Sequence, residues 1–152
     1  MNFKKIFLLV FLIIFLGTQA VKAQTVKIVN IINNSPAKAL FTVNTQEMAI
    51  KPHSSKKMLS NIPYNELKKN LLNFIQDEPY IPENAIKLET CEGTFYIWCD
   101  HRGVIMAKAF EAGMSRLEAF PKPVLALSQS DFVLIGCLVT INPSGALNIQ
   151  KA

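Results

Sequence analysis

Apolar and polar residues along this chain keep two different rhythms. Most of it follows a period of two. Val26–Ile32, "VKIVNII", alternates imperfectly and is rich in β-branched residues, "NNSP" at 33–36 is turn chemistry, and "ALFTVN" at 39–44 and "EMAIKP" at 47–52 read as the next two strands. "AIKLET" at 85–90 places Ile86 and Leu88 on one face. Glu92-Gly93 then predicts a two-residue turn into "TFYIWC", and Asp100-His101-Arg102-Gly103 a second turn into "VIMAKAF". In "DFVLIGCLVTI" at 131–141 the odd positions Val133, Ile135, Cys137, Val139 and Ile141 are all apolar, as expected of a central strand with its odd face in the core. "NPSG" at 142–145 has proline at the second position of a type I turn, and "ALNIQKA" is the terminal strand. "VLALSQ" at 124–129 adds another strand, and "EAGMSRLEAFPKP" has room for a short helical turn.

One stretch departs from this rhythm. In "PYNELKKNLLNFIQDE" at 63–78, Leu67, Leu71, Phe74 and Ile75 recur at i, i+4, i+7 and i+8, which predicts one amphipathic helix between Pro63 and Pro79. Seven to nine strands and one helix make a mostly β chain. We expect a single-domain antiparallel β-sandwich, with a partly open β-barrel as the alternative.

The N-terminus is a different kind of segment. Lys4 and Lys5 precede an apolar run from Ile6 to Leu16 that is shorter than the roughly 20 residues a spanning helix needs. Val21-Lys22-Ala23 supplies an apolar and a small residue at −3 and −1 of a cleavage site. Residues 1–23 read as a signal peptide, cleaved after Ala23, with cleavage after Ala20 or an uncleaved anchor as alternatives. Export to a periplasmic or extracellular compartment follows, with residues 24–152 as the secreted domain.

This changes the charge. Lys4, Lys5 and Lys22 leave with the signal and no acid does, so 16 basic and 11 acidic residues become 13 and 11 and the net charge falls from +5 to +2. That balance gives no ground for nucleic-acid binding. A single local basic cluster remains, "KPHSSKK" at 51–57, which reads either as a solvated surface or as a contact for anionic head groups or polysaccharide.

Candidate chemistry centres on "WCDHRG". Cys99, Asp100 and His101 stand side by side. A thiolate–imidazole pair is a poor fit, because i and i+2 side chains of a strand stand roughly 6.5–7 Å apart and a working pair needs about 3 Å. Zinc is an equally poor fit. Cys91, Cys99, Asp100 and His101 lack C-x-x-C or H-x-x-x-H spacing, and His53 lies far off in sequence. No cofactor motif occurs. Asp100 and Gly103 are turn formers, and an ordinary hairpin turn accounts for the stretch.

Of the three cysteines, Cys99 shares parity with Phe95 and Ile97, and Cys137 lies on the core face of its own strand. A Cys99–Cys137 disulfide is the expected pairing in an oxidising compartment, leaving Cys91 free. The alternative is three reduced thiols, with Cys137 acting as a small buried hydrophobe. Tyr96 and Trp98 fall on the opposite face of the same strand. They predict either a partly exposed aromatic platform for a partner or a second layer of core under the helix or a loop.

The function these features suggest is a non-enzymatic exported β-domain that binds a protein or glycan. A small hydrolase with an unrecognised site and a self-assembling envelope subunit are the alternatives. Neither the partner nor the oligomeric state can be read from the sequence.

Overall fold

The structure, a computed structural model, describes residues 25–65, 81–127 and 134–152. The expected signal peptide, most of the expected 63–78 helix, Val133 and the end of "VLALSQ" lie outside the described residues. The described chain forms ten strands and one short helix. These are β1 (Val26–Asn33), β2 (Ala39–Val43), β3 (Gln46–Ile50), β4 (Ser54–Asn61), β5 (Ile86–Thr90), β6 (Gly93–Asp100), β7 (Gly103–Lys108), α1 (Arg116–Ala119), β8 (Lys122–Leu125), β9 (Ile135–Ile141) and β10 (Leu147–Lys151).

Two sheets face each other. The four-stranded sheet has the order β10-β9-β1-β4 and the six-stranded sheet the order β3-β2-β5-β6-β7-β8. At the two sides β10 comes against β8 and β3 against β4, but no strand pairing closes a barrel. The expected sandwich is therefore the architecture, with one exception to its antiparallel rule: β1 and β9 run parallel. Strands joined by hairpins pair antiparallel, whereas β1 and β9 come from opposite ends of the chain and no short connection dictates their direction.

The period-two reading holds for β9, where Ile135, Cys137, Val139 and Ile141 are buried and the strand lies between two others. The irregular alternation of β1 has a local cause. Ile28 pairs with Cys137 and Asn30 with Leu138, so Val29 is an unopposed bulge residue. Inward parity consequently passes from Val26 and Ile28 to Ile31 and Asn33. The main core between the sheets combines these residues with Phe41, Ile86, Leu88, Ile97, Cys99 and Val104.

Asn33 is a buried polar hub. Its Nδ2 donates to the carbonyls of Ala37 (2.9 Å), Ile50 (3.3 Å) and Lys51 (3.2 Å), and its Oδ1 accepts from the Ser35 amide (3.0 Å) and the Ser35 hydroxyl (2.7 Å). It fixes the "NNSP" turn and ties it to the end of β3, so that a side chain at 0% exposure satisfies its polar atoms.

β4 is a strand that lacks an apolar alternation of its own. "SSKKMLSN" has only Met58 packed on the core, and most of its residues are exposed. Beyond it the chain crosses between the sheets. The Ile62 amide donates to the Val26 carbonyl, the Cys99 amide to the Pro63 carbonyl, and the Asn65 amide to the Cys99 carbonyl, each at 2.8 Å. Residues 63–65 thus take the place beside the end of β6 that β5 leaves empty.

The turns match their sequence signals with one shift of register. Thr90 pairs with Gly93, so the β5–β6 turn is Cys91-Glu92, one residue earlier than the expected Glu92-Gly93. Gly93, at φ 144°, is the strand residue that follows it. In the "NPSG" turn the Gly145 amide donates to the Asn142 carbonyl at 2.8 Å. The short helical turn expected in "EAGMSRLEAFPKP" is α1.

Candidate functional site

The Cys99-Asp100-His101 stretch resolves into a hairpin. Asp100 pairs with Gly103 across a two-residue turn, His101-Arg102. Asp100 is buried, and its carboxylate accepts from the Arg102 amide (2.7 Å), Nε (3.0 Å) and Nη2 (2.8 Å), which turns the guanidinium back over the turn. Gly103 has φ 126°, and a Cβ there would lie 2.1 Å from the Leu125 carbonyl oxygen, so only glycine lets β8 pack this closely. His101 is exposed at the tip, and His53 occupies a separate turn at φ 49° before β4. Among the described residues no three His, Cys, Asp or Glu side chains come together as a metal-binding group.

The cysteines require a correction. Cys99 and Cys137 do face the same core, as their parity predicts, but all three cysteines are free thiols and the expected Cys99–Cys137 disulfide is not formed. Burial pushes the Cys99 thiol up to about 12, with Cys137 and Asp100 adding to the rise. Burial also pushes Cys137 up to about 11, against a smaller opposing effect of Lys151. Both therefore hold their protons, and disulfide exchange proceeds through thiolate. The two fill core volume as small hydrophobes. Cys91 is exposed on the β5–β6 turn, at the other end of β6 from Cys99.

The aromatic platform requires a second correction. Trp98 is 0% exposed. With Ile105 and Ala107 it forms a second core layer on the outside of the six-stranded sheet, and Ile81, Ala85 and Tyr96 pack against it. The chain entering β5 covers this face, so Tyr96 and Trp98 do not present an open contact surface. The indole Nε1 is buried there without a hydrogen-bond acceptor among the described residues.

The open face belongs to the other sheet. Cross-strand registers arrange its outward residues in rows. Asn148, Thr140, Ile32 and Ser55 form one row, and Gln150, Leu138, Asn30 and Lys57 the next. Gly136, Lys27 and Asn61 follow beyond the bulge. Asn148, Gln150, Ser55, Lys57 and Asn61 are exposed, and the residues of the two central strands are half-buried. Leu59, at 75% exposure, lies on the rim strand. Adjacent strands stand about 4.8 Å apart and successive residues on one face about 7 Å apart, so the grid is about 14 Å across.

Its charge is one-sided. Its outward rows carry Lys27 and Lys57, while Lys56 and Lys151 stand in register with the buried Ile31 and Cys137, and β1, β4, β9 and β10 contain no aspartate or glutamate. The six-stranded sheet mixes Glu47, Glu89 and Asp100 with Lys87, Lys108 and Lys122. The Asn30 Oδ1 is buried and receives no donor among the described residues, so it is not presented on this face.

Sequence reasoning missed this face because its members are scattered over four strands from both ends of the chain. "KPHSSKK" was the one local signal, and it marks only the β4 rim. No family model, no curated protein and no solved structure matches this chain.

Proposed function

We propose that this chain is an exported, non-enzymatic β-domain that binds a protein or glycan partner on the outer face of its four-stranded sheet. Export rests on the basic and apolar N-terminal segment and the cleavage signal ending at Ala23. The observation that carries the binding reading is the contrast between the two outer faces. The chain covers the six-stranded sheet around Trp98, while the four-stranded sheet presents rows of amide, hydroxyl and lysine side chains around Ile32 and Leu138. A central apolar patch rimmed by polar groups is the usual anatomy of a recognition surface.

The environment of Cys99 speaks against a thiol hydrolase. A thiol pushed up to about 12 by burial is a poor nucleophile at neutral pH. Self-assembly through the unpaired edge of β4 is opposed by Lys56 and Lys57, since a second copy aligned there brings like charges together.

Site-specific photo-cross-linking tests the reading. A cross-linker at Thr140 should capture one stoichiometric partner from the producing cell's envelope or medium, and a cross-linker at Tyr96 should capture none. Capture from Tyr96 alone would refute it. The intact mass of the recovered protein should begin at Gln24.

A further inference from the structure

We infer that the partner of this face is an acidic polysaccharide, a glycan bearing carboxylate or sulfate groups; this deepens the partner-binding reading and rests on it. The charge argument comes first. Lys27 and Lys57 both point outward, and no strand of this sheet supplies a competing carboxylate. They stand one strand and three residues apart, about 11 Å between Cα atoms by strand geometry. That separation suits successive charges along a polymer better than one isolated anion.

The neutral side chains distinguish a glycan from an acidic peptide. Gln150 and Asn148 each offer both a donor and an acceptor, as does the Thr140 hydroxyl. Sugar hydroxyls match that dual character. A carboxylate, sulfate or phosphate only accepts, so it leaves the side-chain carbonyl oxygens unmet. An extended acidic peptide would instead seek backbone hydrogen bonds, and among the described residues these lie along the edge strands β4 and β10, at the margins of the grid. The half-buried Ile32 and Leu138 lie beside one another in adjacent rows and give the apolar face of a sugar ring a surface to rest on.

The test uses the exported full chain with three soluble polymers: polygalacturonate, neutral dextran and polyglutamate. Titration calorimetry should show binding of polygalacturonate that weakens with added salt, and none of dextran. Lys27→Gln with Lys57→Gln should weaken it about tenfold, the sum expected for two surface charge contacts. Gln150→Ala should weaken it further while leaving its salt dependence unchanged, a separation that a purely ionic contact would not give. Circular dichroism verifies that each variant is folded. Lys108→Gln with Lys122→Gln, on the other sheet, should leave binding intact.

Equal weakening by both lysine pairs would reduce the binding to nonspecific attraction and overturn the inference. Polyglutamate bound as tightly as polygalacturonate would assign the face to an acidic protein instead. Failure of polygalacturonate to bind would also overturn it. If a partner is still captured by cross-linking at Thr140 in that case, the binding function survives and only the glycan assignment falls.

Discussion

Trp98 offers the most direct test of how the six-stranded sheet is built. Its side chain is 0% exposed among Ile105, Ala107, Ile81 and Ala85, and its Nε1 has no acceptor among the described residues. Two substitutions separate volume from polarity. Trp98→Ala empties the layer and should cost about 3–5 kcal/mol, the usual range for removing a large buried aromatic. Trp98→Phe removes the pyrrole part of the ring, a loss of about 1–2 kcal/mol, but it also removes a buried N–H whose lack of a partner costs about 1–3 kcal/mol. The two effects oppose each other, so the phenylalanine variant should fall within about 1 kcal/mol of the parent. Urea unfolding followed by far-ultraviolet circular dichroism measures both. Because Trp98 is the chain's only tryptophan, its emission in the parent should be blue-shifted and resist acrylamide. A Trp98→Phe loss as large as that of Trp98→Ala would show that the N–H is hydrogen-bonded and that the reasoning is wrong. Emission as red and quenchable as free indole would show that the second layer is open.

Three further outcomes are expected. Asn33→Ala removes three donated and two accepted hydrogen bonds at a buried site and should cost about 3 kcal/mol; calorimetric melting checks it, and a loss below about 1 kcal/mol would mean that water replaces the hub. Thr45, at φ 68° beside Asn44 at φ 48°, holds a β-branched residue in the left-handed region of the β2–β3 turn, so Thr45→Gly should gain about 1 kcal/mol, as an Asn-Gly turn suits this hairpin; a loss would show that the threonine side chain stabilises the turn. The native protein should take up one equivalent of thiol reagent, at Cys91, and two more only on unfolding. The folded values of Cys99 and Cys137 are raised above the ordinary 9.0, so their stabilising effect is complete below pH 9 and lost as pH rises through about 11 and about 12. Replacing both with alanine should flatten that alkaline decline, and an unchanged decline would place its origin elsewhere.

The parts of the fold legible in the sequence are those where burial on one face imposes a period of two. Ile135, Cys137, Val139 and Ile141 declare β9 as a central strand because a one-residue slip would expose all four. The "NPSG" and Asp100–Gly103 turns were legible for a different reason, since proline and glycine restrict the backbone locally. β4 was not legible as a strand. It lies at a sheet edge with one apolar residue facing in, so pairing with β1 makes it a strand and burial does not. The same limit explains Trp98. Strand parity placed it on the second face correctly, but what covers that face is tertiary, and residues 81–85 give no local sign of it. The site was less legible still. Lys27, Asn30, Thr140 and Gln150 become neighbours only through the parallel β1–β9 pairing, which joins segments more than a hundred residues apart.

That pairing and the bulge at Val29 together decide what the open face contains. With uninterrupted alternation after Val26 and Ile28, β1 would turn Asn30 and Ile32 inward and Ile31 and Asn33 outward. Asn30 would then be a polar side chain in the apolar core, Ile31 would be exposed, and the hub that fixes the "NNSP" turn to the end of β3 would be lost. The unopposed Val29 reverses this parity in one step. It sends Asn33 in, where five hydrogen bonds await it, and Asn30 out, between Leu138 and Lys57. The irregularity in "VKIVNII" therefore serves both sides of the sheet. On the inside it allows a buried amide to be satisfied by the chain itself. On the outside it brings Asn30 and Ile32 into the rows of Leu138, Thr140, Lys57 and Ser55. One extra residue thus assembles the outward rows on which the proposed recognition surface rests, and deleting it would turn Asn30 into the core.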